Sequence, residues 1–369
     1  MRRVRSWTGN IAPNRCGLVC LSPVIGWLEI PLVKWFLPVI MLGAVAPLAY
    51  LFFRRAWASL EADATVMRRE LAAAGRIDYR PLLTLTLGVL ILAMQEYYGQ
   101  FKFYGESLGP WLAVKLHAAT RPKVAQHLAY FAENYGRAWW GVTRIAGYLL
   151  PYLVWRFAFP KDSLRDMGLR VAGLRQHAWL YAFFVVVMVP ILLLVSRQPD
   201  FGGYYPMCAT AGRSWLEFGA WEIVYVGQFV ALEMFFRGWW IRTTRIFGTG
   251  SIFCMAVPYC LIHFGKPYLE VCSAIIAGVV LGSLSIQTRS IWAGVLVHVT
   301  VAILNDVLAL QRKGQLPTEL YAGSGRHFTF RHWNLVIGIV WAIAVVILAI
   351  KIIRVWPQLH AWRAARRTR

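Results

Sequence analysis

The run WFLPVIMLGAVAPLAYLFF, residues 35 to 53, carries no charge over the roughly 20 residues that a helix needs to cross hydrocarbon. Further apolar windows follow at 81–98, 138–159, 178–196, 215–241, 250–264, 268–286, 290–311 and 333–353. Inside a bilayer only helices and closed barrels pair all their backbone groups, and these runs are too long and continuous for barrel strands. The expected fold class is therefore all-α: a polytopic transmembrane helical bundle of eight to nine spans. Window 215–241 exceeds what a bilayer requires and should tilt or project past the interface. Window 250–264 is short and contains Pro258, as a kinked or half-buried helix would.

Composition agrees, since 58% of the 369 residues are hydrophobic, 15% are charged and 18 are Trp, outside the range of a soluble domain. The formal charge of +22 is carried mainly by short segments between apolar runs and by the tail WRAARRTR. Lipid phosphate is the nearest anion to such segments, so membrane lipids are the expected partner and nucleic acid is not. The cluster Arg363, Arg366, Arg367 and Arg369 favours a cytoplasmic C-terminus. Cys16 and Cys20 form a lone C-x-x-x-C without a second pair or a nearby His, which leaves the six thiols structural or inert.

These patterns divide the chain into a leader at 1–34, N-terminal transmembrane helices at 35–164, a core at 165–311, and a loop, last span and basic tail at 312–369. Within the second part, 54–80 mixes Ala, Leu and Met with charge and reads as an amphipathic surface helix.

Glu222, Glu233, Glu270, Asp306, His263 and His298 lie within or beside apolar runs, all between residues 222 and 306. An ionisable group near a helix centre costs about 2.5 kcal/mol or more unless it faces a polar interior, so their clustering points to use. Glu233 and Arg237 are spaced i, i+4 and share a helix face. Alone, that pair reads equally well as a salt bridge fixing helix register. His298 has Asn305 on nearly its own face at i+7 and Asp306 about 80° away at i+8, which allows either a shared metal or oxygen site or an interhelical hydrogen bond. Glu222, eleven residues before Glu233, lies about 16 Å away along the axis, too far for one site. An acid, two imidazoles and an amide or carboxylate on neighbouring spans can together deprotonate a water, directly or through a metal.

The ordered elements EMFFRG with Glu233 and Arg237, YCLIH with Tyr259 and His263, and a third span with His298 resemble the CPBP family of type II CAAX prenyl endopeptidases and bacteriocin-processing or immunity proteins. DMGLR at 166–170, the run LGSLSIQTRSIWAGVLVH and, in one bacterial branch, HFGKPYLE with Glu270 resemble the same family, over about residues 165–311. Members usually read E-E-x-x-x-R and H-x-x-x-N or H-x-x-x-D; here Leu232 holds the first Glu position and Ala302 the place four after His298. The resemblance implies a CPBP-like core that hydrolyses a peptide bond of a membrane-associated protein, a hydrophobic peptide or a lipid-modified protein, in a bacterial cytoplasmic membrane. It implies Glu233 as general base or metal ligand assisted by His263, Arg237 orienting Glu233, and His298 with Asn305 or Asp306 polarising the carbonyl. Zinc or another divalent metal held by Glu233, His263, His298 and Asp306 is one form of that site. A catalytically inactive scaffold or immunity protein on the same fold is the alternative, and Leu232 is the feature that favours it.

Overall fold

The computed structural model describes residues 31–171, 176–325 and 332–367. The leader up to residue 30, with Cys16 and Cys20, and Arg369 of the tail lie outside the described residues. Among those described, every regular element is helical. The principal helices are α1 (Pro31–Ala73), α2 (Arg80–Tyr97), α3 (Ala132–Ala158), α4 (Ala178–Val195), α5 (Trp215–Glu233), α6 (Gly250–Leu261), α7 (Tyr268–Thr288), α8 (Trp292–Arg312) and α9 (Trp333–Arg367). Short helical turns join α2 to α3.

The protein is an integral membrane protein. Among the described residues five helices are long and apolar enough to cross a bilayer: α1, α4, α7, α8 and α9. A sixth span results if α2 and the following Phe101–Lys115, bent by 48° to one another, are counted as one. Three windows of the expected eight to nine do not reach that standard. α6 is only 12 residues long, and α3 and α5 carry too many polar and charged groups among their apolar ones. Each of the three packs one face into the bundle and leaves apolar side chains such as Leu153, Ile223 and Phe253 exposed on another: Trp140, Trp221 and Tyr225 of α3 and α5 share a core, and Gly278 of α7 lies against Ala256 and Tyr259 of α6.

Residues 54–73 do not start a helix of their own. They continue α1, a single helix of 43 residues, and the amphipathic character read over 54–80 belongs to the part of α1 beyond its apolar run. α1 is applied to the outside of the bundle, where Phe53 packs with Leu281 and Leu284 of α7 and with Leu180 of α4. Only 11% of its most apolar window is buried, so the rest faces lipid. α9 is peripheral in the same way and meets α4 and α8 through Ile337, Val189, Leu192 and Leu308.

The start of α5 is fixed locally. The Ser214 hydroxyl accepts from the Glu217 N–H at 3.2 Å, and the N–H groups of Trp215 and Leu216 donate to the carbonyls of Glu319 and Leu320 at 3.0 Å. Three of the donors that a helix leaves unpaired at its N-terminus are thereby satisfied, one of them by a side-chain cap of about 1 kcal/mol. At the opposite end of the bundle the DMGLR segment clasps the entry to α8. The Gly168 carbonyl accepts from the Ile291 N–H at 2.9 Å, and the Arg170 carbonyl accepts from the Ser290 hydroxyl at 2.7 Å. Gly168 has φ +86, and a β-carbon there would meet Ile291 at 2.9 Å, so both conformation and contact call for glycine.

Candidate active site

Glu233 closes the regular part of α5. The next seven residues, Met234–Trp240, form a π-helical turn before the helix resumes at Ile241–Thr243. Such a turn inserts extra backbone and frees a carbonyl from its usual partner; π-turns are frequent at functional positions. The Tyr152 hydroxyl of α3 donates to the Met234 carbonyl at 2.8 Å. Gly238 makes that approach possible, because a β-carbon there would stand 2.4 Å from the Tyr152 hydroxyl.

Glu233 and Arg237 are both fully buried, with Arg237 Nη1 3.2 Å from Glu233 Oε1. That separation is an ion pair whose angle falls short of a hydrogen bond, since Nη1 counts among the buried nitrogens without an acceptor. The guanidinium finds further compensation over the Tyr259 ring, its Cζ 3.9 Å from the centroid. The same Glu233 Oε1 accepts from His298 Nδ1 at 2.6 Å, a short charge-assisted bond. Oε2 has no partner and lies against Gly294 of α8, where an added β-carbon would stand 2.1 Å from it.

Nδ1 of His298 donates to a carboxylate, so its Nε2 is the lone-pair side of the neutral ring, and the Tyr259 hydroxyl meets it at 2.9 Å. Phe229, one turn before Glu233, stacks on the imidazole with centroids 5.2 Å apart and planes 24° from parallel. Both ring nitrogens and one face of His298 are thus engaged, and its side chain is 12% exposed. His263 is set differently. Its Nδ1 lies 2.8 Å from the Tyr259 carbonyl, which can only accept, so Nδ1 carries the proton and Nε2 presents a free lone pair. Its ring stands 4.6 Å from that of Tyr259. Tyr259 therefore joins the two histidines, through its carbonyl to one and its hydroxyl to the other.

Four of the six expected site residues, Glu233, Arg237, His263 and His298, meet around Tyr259. Asn305 and Asp306 do not join them. Seven residues along α8 is a displacement of about 10 Å, which a shared face does not remove. Asp306 is fully buried and occupied elsewhere, accepting from the Trp221 Nε1 at 2.7 Å and from the Met207 N–H at 3.2 Å. Asn305 is buried with its amide oxygen unpaired. Glu222, beside Trp221, is also buried with both oxygens unpaired, and Glu270 binds Lys266 Nζ at 2.6 Å and the Tyr205 hydroxyl at 2.7 Å.

A metal site of the expected kind does not fit these positions. Among the described residues no three His, Cys, Asp or Glu side chains converge as a metal-binding group. Asp306 is held by Trp221 and Met207, and both His298 nitrogens are taken.

Sequence reading did not reach Gly294, Tyr152, Phe229 or the π-turn. Gly294 and Gly238 stand next to the motif residues, but nothing local reveals which backbone or hydroxyl they admit. Leu232 sits in an apolar cluster with Phe235, Phe236 and Tyr148 and is 5% exposed. Its direction is that of the hydrophobic core.

Residues 214–304 match the family model described as type II CAAX prenyl endopeptidase, Rce1-like. The matched stretch contains Glu233, Arg237, Tyr259, His263 and His298 and ends one residue before Asn305. No curated protein and no solved structure matches the chain.

Proposed function

We propose that this chain, whose residues 214–304 match the Rce1-like type II CAAX prenyl endopeptidase model, is a CPBP-type intramembrane endopeptidase acting on a membrane-associated protein or hydrophobic peptide. The observation that carries the reading is the chain of bonds Glu233, His298 Nδ1, His298 Nε2 and Tyr259 hydroxyl, set beside a histidine with a free Nε2. Buried polar groups held this way in an apolar bundle are costly, and a hydrolytic site uses all of them.

In this reading His263 Nε2 takes the proton of a water whose oxygen attacks the scissile carbonyl carbon. The negative charge developing on the carbonyl oxygen is met by the Tyr259 hydroxyl, whose one proton turns from the lone pair of His298 Nε2 to the carbonyl oxygen. Glu233 fixes the His298 tautomer, and Arg237 holds the Glu233 carboxylate in place. Collapse of the tetrahedral species breaks the C–N bond, and the proton on His263 passes to the leaving amine. Glu233 is thus a positioning residue whose Oε1 is committed; the base role expected from sequence moves to His263. Asn305 and Asp306 enter as supports of α8. The chain is read as resident in a bacterial cytoplasmic membrane, with its basic C-terminus inside.

A second reading, an inactive scaffold on the same fold, is favoured by one observation: Leu232, where family members carry a first Glu, is part of the apolar core. Cleavage of a panel of membrane-associated peptides by the purified full chain in nanodiscs separates the two. Loss of cleavage by about 10²-fold or more in His263→Gln supports hydrolysis. No cleavage by the native chain together with cleavage gained in Leu232→Glu supports the scaffold.

A further inference from the structure

One end of the bundle holds a cavity lined by arginines. There α1 passes through Arg54 and Arg55, the helix extending α5 ends near Arg242 and Arg245, and α7 is followed by Arg289. These five arginines line one cavity of about 810 Å³ in which, among the described residues, Asp63 is the only one with a carboxylate. Among the described residues no ion pair joins Asp63 to any of them. Like charges gathered around one space raise each other's free energy, and an anion between them removes that penalty.

Two of the arginines are held toward this arrangement by the backbone. Arg242 donates from Nη2 to the Ser285 carbonyl at 3.0 Å, while its Nε is buried without an acceptor. Arg289 occupies the left-handed region at φ +53, where glycine would be unstrained. An arginine kept there contributes charge to the cavity at a conformational cost.

The rest of the wall is apolar and includes Leu51, Phe52, Met67 and Ile286. Leu51 is 62% exposed and Leu48, one turn deeper in the membrane, is 67% exposed, so the cavity runs into the lipid-facing side of α1. Polar and apolar parts are therefore arranged at interface depth in the order of a phospholipid headgroup and its tails. The C-terminal part of α9 reaches this end, with Lys351 over Trp179 and Trp179 against Phe52, so the cytoplasmic C-terminus expected from its Arg cluster puts the cavity at the leaflet where anionic lipids lie.

We propose that this cavity binds the phosphate headgroup of an anionic phospholipid, with its acyl chains laid along α1. The site is separate from the Glu233, His263 and His298 cluster and requires no assumption about hydrolysis. The five arginines hold the phosphate, and Leu48, Leu51 and Phe52 contact the first carbons of the tails.

The test is native mass spectrometry of the full chain released from nanodiscs of phosphatidylcholine containing phosphatidylglycerol. The anionic lipid is expected to be retained preferentially, and Arg245→Gln with Arg289→Gln to lower its retention by about fivefold per arginine removed. Ser59→Asp, a change at an exposed position on the cavity wall, lowers retention without removing a guanidinium. Arg245→Lys with Arg289→Lys keeps most of it, and an unchanged melting temperature in Ser59→Asp shows that the fold is intact. Equal retention of the two lipids, or retention unaffected in both the Gln and Asp variants, overturns the proposal. Displacement of the lipid by inorganic phosphate at equal concentration assigns the cavity to a soluble phosphate ester and overturns the lipid assignment.

Discussion

Gly294 presents bare backbone to the buried Glu233 carboxylate, so closely that a β-carbon would stand 2.1 Å from Oε2. The acid is thus positioned from two helices, by the ion pair and π-turn of its own and by the missing side chain of α8. Gly294→Ala must push the carboxylate away from His298 or separate the helices. A loss of about 1–3 kcal/mol in stability is expected from such overpacking, with cleavage reduced in parallel. Thermal unfolding and peptide cleavage of the same preparation check it, and a fully active, equally stable variant contradicts the geometry.

Removing either member of the Glu233 and Arg237 pair leaves a charge with no exposure to water. Glu233→Ala should cost about 3–5 kcal/mol, whereas replacing both by apolar residues of similar volume should cost less than the sum of the single changes. A double-mutant cycle on unfolding free energy measures the coupling; additive effects would mean that the pair is not joined in solution.

Histidine 263 and histidine 298 should differ in how they respond to Tyr259→Phe. That change removes the hydroxyl partner of His298 Nε2 but leaves the carbonyl that accepts from His263. The expected result is a fall in kcat of about 10²-fold, as for the loss of one oxyanion donor, with KM little changed. An unchanged kcat excludes the hydroxyl from the reaction.

Chelation offers a simple contrast with a metal-dependent hydrolase. No three-ligand group is assembled among the described residues. Dialysis against a strong chelator is therefore expected to leave both cleavage and melting temperature unchanged. Loss restored by one divalent ion would show that the ligands rearrange in the membrane.

In the loop that follows α3, Asp162 accepts from Arg80 Nε and Nη2 at 2.9 Å each and from Trp155 Nε1 at 3.1 Å. The Arg80 hydrogen bonds hold this loop carboxyl below its usual value of 3.8. A depressed folded-state value adds stability that is present above the unfolded value and is lost as pH falls through the folded one. The native chain should therefore lose melting temperature more steeply than Asp162→Asn below about pH 4. Asp162 is 27% exposed, which limits the effect to about 1 kcal/mol or less. Parallel curves for the two proteins would remove the ion pair from the account.

The sequence by itself determined the helical class, the membrane location and which ionisable residues lie within or beside apolar runs. Runs of apolar residues and an i, i+4 spacing are local facts, and Glu233, Arg237, His263 and His298 were legible because charge inside such runs is costly wherever it occurs. Tertiary structure alone decided the rest, because each remaining question depended on residues far apart in the chain. Asp306 has the same chemistry as a ligand, but Trp221 and Met207 occupy it. Which faces of α3, α5 and α6 are covered depends on the helices packed against them. The π-turn after Glu233 is stabilised by a hydroxyl from α3, and the acid's second oxygen is bounded by a glycine of α8. Helical periodicity gives the direction of a side chain about its own axis; only the packing of several axes fixes what that side chain meets.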